Sequence, residues 1–532
     1  MSTTGSLRRP LTRATLALVT LAVLAVVMMV AGCGTGGAQA STTTANSAAG
    51  ASTQASTRAA RRAAHTPGPA VGVSGAAVGR PVPPGFVGLS IEERALEQFA
   101  GSNPAAINPV FVHLIENIAP AGPVLRVAGD STDWSWWPVA HMAPPGGVRY
   151  ALTPTWMNVA RALADDIHGR LILGVNLEAD SRAVATAEAQ AMLSRIGRSR
   201  IAGLELGNEP ELYASFGWYR SRITGKQVPG RPPGYDFAGY LGDFSRFSSY
   251  LRGDPIAGPA IGGPGWLQSL ATFINTEHGL RLVTVHAYPL KHCSRSTVIT
   301  SAQLLANSSS HGLASYVAPW VGIAARRRLP LRIDEMNGIS CGGTRGVSDT
   351  FTSALWLLDT LFEMARVGVS GVNVHTVPNT INEILGPELV GGHWGMRVHP
   401  EYYGMVMFAQ AAPAGSRLLR VAAKVPAGVK VWATRSAGGA IHVVVINKRL
   451  AQAETVHVRI ASAHGPATVE QLRAPSVHAT SGVTLGGQTF GAATSTGQLA
   501  GTPDNVTVTP LNGTYSVRVP PASATMLSLP SS

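Results

Sequence analysis

From residue 85 onward, short apolar runs alternate with longer segments of helical spacing, and the run recurs eight times. The runs are Gly85–Glu92, Val124–Ser131, Arg170–Glu178, Gly203–Glu209, Pro259–Gly265, Leu282–Tyr288, Leu331–Asn337 and Gly371–Thr376. Between them, Thr155–Ile167, Ser181–Ile196, Phe237–Leu251 and Thr350–Val367 carry apolar residues at the spacing of one helix face. Eight strands separated by helices over roughly 300 residues predict an α/β fold, a closed (β/α)8 TIM barrel over residues 85–415. A doubly wound open sheet is the competing arrangement. It is disfavoured because no glycine-rich phosphate fingerprint follows the first strand.

Beyond residue 415 the pattern changes. Val429–Thr434, Ile441–Asn447, Thr455–Ile460, Thr468–Leu472, Asn505–Thr509 and Thr514–Val519 are short, β-rich and separated by Gly, Ser and Asn, with no helix between them. Residues 416–532 therefore read as an antiparallel β-sandwich domain. The Val- and Pro-rich segment 69–84 is expected to lend that sandwich a strand.

The N-terminus reads as a targeting segment. Arg8, Arg9 and Arg13 precede an apolar run from Leu16 to Val30, which ends in Val30-Ala31-Gly32-Cys33. This resembles a bacterial lipobox, with Cys33 lipidated and first in the mature protein. A plain secretory signal or an uncleaved anchor are the alternatives. All three place the body outside the cytoplasm, and the lipobox reading tethers it to the outer face of a bacterial membrane. Residues 34–68, mostly Gly, Ala, Ser, Thr and Gln, hold almost nothing that could form a core and read as a flexible tether. Of the three cysteines, Cys293 and Cys341 remain. In an oxidising compartment they suggest one disulfide between neighbouring loops; two separate buried thiols are the alternative. Net charge is +13. No basic stripe with interleaved aromatics appears, so nucleic acid is not an expected partner. The charge is compatible with an acidic polysaccharide or an anionic surface. Oligomeric state is not legible.

Two carboxylates stand out against this frame. In Gly203-Leu204-Glu205-Leu206-Gly207-Asn208-Glu209-Pro210 an apolar strand stops abruptly at an amide and an acid. Leu331-Arg332-Ile333-Asp334-Glu335-Met336-Asn337 is the second such strand. Strict alternation puts Leu331, Ile333 and Glu335 on the barrel's inner face and turns Asp334 towards the helices. Glu209 then closes strand four and Glu335 strand seven, both at the C-terminal mouth where barrels keep their chemistry. Two convergent carboxyls suit glycosidic bond cleavage, one as acid and one as nucleophile or base. The bland alternative for Glu335 is a loop carboxylate paired to an arginine. Scattered His286, His292 and His375, and the lack of an HExxH pattern, argue against a metal site. No Gly-x-Ser-x-Gly elbow supports a serine nucleophile, and no cofactor is expected.

These residues resemble the retaining (β/α)8 glycoside hydrolases and, more narrowly, glycoside hydrolase family 79, the heparanase and β-glucuronidase family. The carriers are Gly88-Leu89-Ser90-Ile91-Glu92, Leu125-Arg126-Val127-Ala128-Gly129-Asp130-Ser131-Thr132-Asp133, Gly207–Tyr213, His286-Ala287-Tyr288 and Asp334-Glu335-Met336-Asn337. The resemblance implies that Glu209 is the acid/base and Glu335 the nucleophile, acting on an oligo- or polysaccharide or other glycoside. It implies further that Asn208 binds the sugar 2-hydroxyl and Tyr288 orients Glu335. Glu92, Asp130, His286 and Gly342 would line the sugar site. For His286 and Tyr288 a satisfied buried polar pair is the alternative. The chain departs from the family where a uronate carboxylate is bound: Ser340 stands at the expected tyrosine, ahead of Cys341-Gly342-Gly343, and Asn373-Val374-His375 replaces a second tyrosine. His375 or an arginine such as Arg345 is a candidate substitute. The sugar is thus open between a glucuronide and a neutral β-glycoside or cell-wall glycan, and a non-catalytic carbohydrate-binding lipoprotein is the reading from another class. Trp134, Trp136 and Trp137 form a candidate stacking surface, or else pack a loop onto the barrel.

Overall fold

The computed structural model describes residues 69–294, 296–461 and 465–531. The segments read as signal, lipidated Cys33 and tether lie outside the described residues. Eight parallel strands close a barrel: β1 Val87–Glu92, β2 Val124–Ala128, β3 Arg170–Val175, β4 Ile201–Leu206, β5 Ile256–Ile261, β6 Leu280–Ala287, β7 Leu331–Met336 and β8 Val372–Thr376. Each pairs with its sequence neighbours, and β8 returns to β1. All eight expected runs hold strands; most stop short of the run's end, where the chain turns into a loop, while β4, β5 and β6 begin before it, at Ile201, Ile256 and Leu280.

The helices between them begin where a side-chain oxygen can accept an orphan backbone N–H. Thr153 caps Pro154–Asp166, Ser181 caps Arg182–Met192 and Asp236 caps Phe237–Tyr250. Helix Phe351–Val367 is apolar nearly all round, and residues 351–365 are all buried. Helix Pro400–Ala411 covers one side of it so closely that a Cβ on Gly404 would lie 2.4 Å from the Ala354 carbonyl.

Four strands, β4 to β7, carry an extra residue, and those in β4 and β7 flank the site. Against β3, Leu171 pairs with Ile201 and Ile172 with Gly203, so Ala202 is inserted in β4. Against β6, Val285 pairs with Ile333 and His286 with Glu335, so Asp334 is inserted in β7. Such bulges re-aim side chains. Leu331 and Ile333 join the core shared with the helices, while Arg332, Asp334 and Glu335 all project inward. The alternation argument therefore erred for Asp334, which lies inside the barrel and not towards the helices. Glu335 reaches the interior because of the bulge. A small apolar floor of Val124, Ile172, Ala257 and Leu282 closes the barrel beneath these polar groups.

The C-terminal strands make one hydrogen-bonded sheet that curls around its own apolar core. Its order is Thr484–Leu485, Ala467–Arg473, Ser523–Leu529, Ile441–Asn447, Val429–Arg435, Arg417–Lys424, Ala70–Val78, Glu454–Ile460 and Thr514–Val519, with Val506–Val508 also pairing Ala467–Arg473. Ala70–Val78 runs antiparallel to Arg417–Lys424 and parallel to Glu454–Ile460, the only parallel pair in this sheet among the described residues. Ile441–Asn447 reads as an unbroken apolar run because both its faces are buried. Val443 and Val445 enter the sheet's own core, while Val444 and Ile446 join the barrel's.

Candidate active site

A cleft of about 890 Å³ opens at the C-terminal mouth of the barrel. Its lining includes Glu92, Asp130, Asn208, Glu209, His286, Tyr288, Glu335 and Gly342, all expected at the sugar site. Cys293 and Cys341 form a disulfide with Cα atoms 5.1 Å apart, joining the loops after β6 and β7 on one wall.

Glu335 is held from two sides. Tyr288 donates its hydroxyl to Oε1 at 2.7 Å, and Arg126 donates Nη1–H to Oε2 at 2.6 Å. Burial alone would push this carboxyl upward. The charges of His375, His286 and Arg126, with the Tyr288 bond, outweigh it and hold Glu335 well below the usual carboxylate range. It is poised as an anion.

Glu209 sits in left-handed backbone (φ 45°) after β4, its N–H donated to the Ala260 carbonyl at 3.0 Å. Its side chain is 26% exposed towards the cleft, and its Oε1 lies 3.0 Å from His286 Nδ1. The same nitrogen is 4.0 Å from Glu335 Oε1. Burial would lower His286, but the negative charges of Glu335 and Asp334 carry it well above the ordinary histidine value.

Asn208 accepts from Arg126 Nη2 at 2.9 Å and donates to Asp130 Oδ1 at 3.3 Å. Its backbone is pinned by Asp133, a residue whose function sequence reading missed. Asp133 Oδ2 accepts from Asn208 N and the Tyr213 hydroxyl, and Oδ1 accepts from Leu177 N and Glu178 N. One buried carboxylate thus ties together the turns after β3 and β4. Glu92 accepts from Ser131 N at 2.8 Å and from the Ser131 hydroxyl. Gly129 permits this approach: its φ is +81°, and a Cβ there would lie 2.5 Å from Glu92 Oε1.

Arg126, at the centre of β2, has a role that its motif does not announce. It is fully buried and reaches Glu205, Asp334, Glu335, Ser90 and Asn208. The signal was a lone arginine in Val-Leu-Arg-Val-Ala, a cation that a barrel lumen accepts only beside carboxylates. His375 does lie at the site, 3.8 Å from both Glu92 Oε1 and Glu335 Oε2. Arg345 does not; it is 82% exposed, beside Asp349, and does not line the cleft. Of the three tryptophans only Trp134 faces the cleft, with Arg149 stacked on it at 4.4 Å. Trp136 is buried and Trp137 lies under Arg195. Among the described residues no cluster of His, Cys, Asp or Glu could hold a metal ion.

Comparison with known proteins agrees with this architecture. Residues 431–526 match the glycosyl hydrolase family 79 C-terminal beta domain. A β-glucuronidase of Neurospora crassa is 22% identical over 351 residues, covering 58% of this chain and 60% of that protein's length. Among solved structures, a 4-O-α-L-rhamnosyl-β-D-glucuronidase from Fusarium oxysporum superposes with a TM-score of 0.68 at 19% identity, over 86% of this chain and all of that one. A family 51 arabinofuranosidase from Xanthomonas axonopodis pv. citri superposes at 0.60 with 14% identity, over 87% of this chain and 99% of its own. The chain therefore joins a (β/α)8 barrel to a C-terminal β domain that matches the family 79 model over residues 431–526, and it is similar in sequence to a β-glucuronidase over part of its length.

Proposed function

We propose that this protein is a retaining β-glycosidase of the β-glucuronidase kind. The observation that carries the reading is the pair Glu209 and Glu335, presented by β4 and β7 to one cleft in unequal surroundings. Glu335, ionised under Arg126 and Tyr288, attacks the anomeric carbon. Glu209 gives its proton to the departing oxygen. A glycosyl ester on Glu335 results, and Glu209, now a carboxylate, takes a proton from the water that cleaves it. His286 Nδ1, between the two acids, limits their oxygens to a separation no longer than its two contacts laid end to end. A bound of that kind favours the spacing of about 5–5.5 Å in retaining enzymes over the about 6.5–9.5 Å of inverting ones.

Support for a uronic acid comes from the two named glucuronidases and from Lys291. Its short strand pairs in register with Ser340, it lines the cleft, and it has no ion-pair partner among the described residues. Ser340 and His375, standing where the family has tyrosines, favour the second reading, a neutral β-glycoside. Anchoring outside the cytoplasm through Cys33 belongs to the same proposal, supported by the lipobox-like Val30–Cys33 run and by a disulfide, which needs oxidising surroundings.

The test is a panel of 4-nitrophenyl β-glycosides, glucuronide included, with the full chain expressed in a bacterium and fractionated. Activity is expected in the membrane fraction, released by Cys33→Ala. Glu209→Gln and Glu335→Gln are expected to lower turnover by about 10³-fold or more in folded protein. Near wild-type turnover in either removes that residue from its role. Cleavage of a neutral glycoside alone replaces the uronic sugar and keeps the pair.

A further inference from the structure

Beneath the two acids lies a second pair of carboxyls, Glu205 on β4 and Asp334 on β7, both with side chains fully excluded from solvent. They meet at Arg126, whose two terminal nitrogens are turned to other partners. Nη1 serves Glu335 Oε2 at 2.6 Å and Ser90 Oγ at 3.2 Å. Nη2 serves Asn208 Oδ1 at 2.9 Å and faces His286 Nε2 at 3.3 Å. Only Nε–H is left, and two carboxyl groups approach it, Glu205 Oε2 at 2.6 Å and Asp334 Oδ2 at 3.0 Å. A single N–H cannot satisfy both. Glu205 Oε1 and Asp334 Oδ1 are without a hydrogen-bond donor, and Asp334 Oδ2 has beside it only Arg126 Nε and, at 3.4 Å, His286 Nε2. In a dry lumen, acceptors left unmade are costly, and two carboxylates within reach of each other repel.

One proton resolves the conflict. Both carboxyls crowd the same nitrogen, within 3.0 Å of Arg126 Nε, and a proton on Glu205 removes one of the two charges there. We propose that Glu205 and Asp334 share a single proton, and that this buried acid–carboxylate pair acts through Arg126 as a positioning device for Glu335. The role at Glu335 rests on reading that residue as the nucleophile. With the proton in place, two carboxylates, Asp334 and Glu335, draw on Arg126. Without it three do, and the guanidinium is pulled towards the floor and away from Glu335.

The groups facing the pair come from several barrel strands. They are Arg126 on β2, His286 on β6 and Arg332 on β7, with Glu335 sharing Arg126 and Tyr240 of helix Phe237–Tyr250 behind β4. Arg332 is turned down to Asn373 and to the carbonyls of Gly85 and Val124, so it does not replace the missing donor. Burial pushes Glu205 up to about 8, against the opposing charge of Arg126, while Asp334 stays low under His286 and Arg126. The proton therefore resides on Glu205 and leaves as pH rises through about 8.

Two measurements on the full chain test this. The first needs no substrate. The infrared carbonyl band of a protonated carboxylic acid at pH 6 is expected to lose one component in Glu205→Gln, which removes the acid. The same loss is expected in Asp334→Asn, which removes the charge that keeps Glu205 protonated. An unchanged band in both overturns the shared proton. The second is kcat/KM against pH on whichever glycoside is turned over, each protein scaled to its own plateau. The alkaline limb of Glu205→Gln, which cannot ionise, is expected to move up by about one pH unit or more. A lost band with an unmoved limb overturns the coupling to Glu335 and leaves the pair standing. If no glycoside is turned over at all, the proposed activity fails while the infrared arm still decides the pair.

Discussion

Tyr288 and Arg126 show what single side chains contribute here. Each places one donor on a different oxygen of Glu335, so removing the Tyr288 hydroxyl leaves a buried anion with one partner fewer. A hydrogen bond to a charged group contributes about 1.5–3 kcal/mol, so Tyr288→Phe is expected to lower kcat/KM by about 10- to 150-fold. The sign of the pH effect follows. Glu335 is held low in the folded protein, and losing a donor raises it, so the acid limb of the pH–rate profile moves to higher pH. A profile that keeps its acid limb would detach Tyr288 from Glu335. Much at this scale was legible beforehand. Asn208 and Glu209 are marked by the strand that stops at Gly207, and Glu335 by its place at the end of a second apolar strand. Asp334 was not, because alternation assumes an unbroken ladder and the bulge in β7 breaks it. Nor was Asp133, whose four backbone and side-chain donors come from loops far apart in sequence.

Among elements, helix Phe351–Val367 bears on both domains. Asp359, buried on this helix, accepts from Lys448 Nζ at 2.6 Å, from Trp432 Nε1 at 2.8 Å and from Ser310 Oγ at 2.6 Å. Lys448 and Trp432 belong to the β domain, so this one carboxylate fastens barrel to sheet. Breaking a buried ion pair from one side strands the other charge. Asp359→Ala is therefore expected to destabilise by about 3–5 kcal/mol, read from the urea midpoint. The double substitution Asp359→Leu with Lys448→Met is expected to cost less than the two singles added together, since no charge is left unpaired. Equal additive costs would mean that the pair is not coupled. The helix itself was legible from its apolar composition. What it packs against was not, since an all-round apolar helix states only that both sides are covered. Strand Ser523–Leu529 and the hairpin Leu385–Val390 with His393–Val398 escaped sequence reading, being short and lying where a loop reads equally well.

For the whole molecule, the buried acids set a pH optimum for stability. Asp334, Glu335 and Asp359 are held low when folded, so their contribution is present above about pH 4 and lost as pH falls towards the folded values. Glu205 and Glu401 are pushed by burial up to about 8, so theirs is present below about pH 4.5 and lost as pH rises through about 8. Thermal unfolding is expected to peak at about pH 4–5 and to decline from there to pH 8.5, with Glu401→Gln flattening that decline. A melting temperature that climbs steadily to pH 9 would contradict it. At this scale the barrel, its two mouth carboxylates and a β-rich second domain were readable because periodicity survives in each segment, whereas the single curled sheet depends on pairings between segments hundreds of residues apart. Ala70–Val78 is the clearest case, lying between Arg417–Lys424 and Glu454–Ile460. During synthesis this first strand emerges long before either neighbour exists. At about 5–20 residues per second it waits on the order of 20–80 s with both hydrogen-bonding edges open, while the whole barrel is made behind it. An unpaired strand of Val, Gly and Ala is a template for wrong partners. The hazard in making this protein therefore falls at the start of the described chain, and shortening that interval, by moving Ala70–Val78 to the C-terminus in a circular permutant, would relieve it.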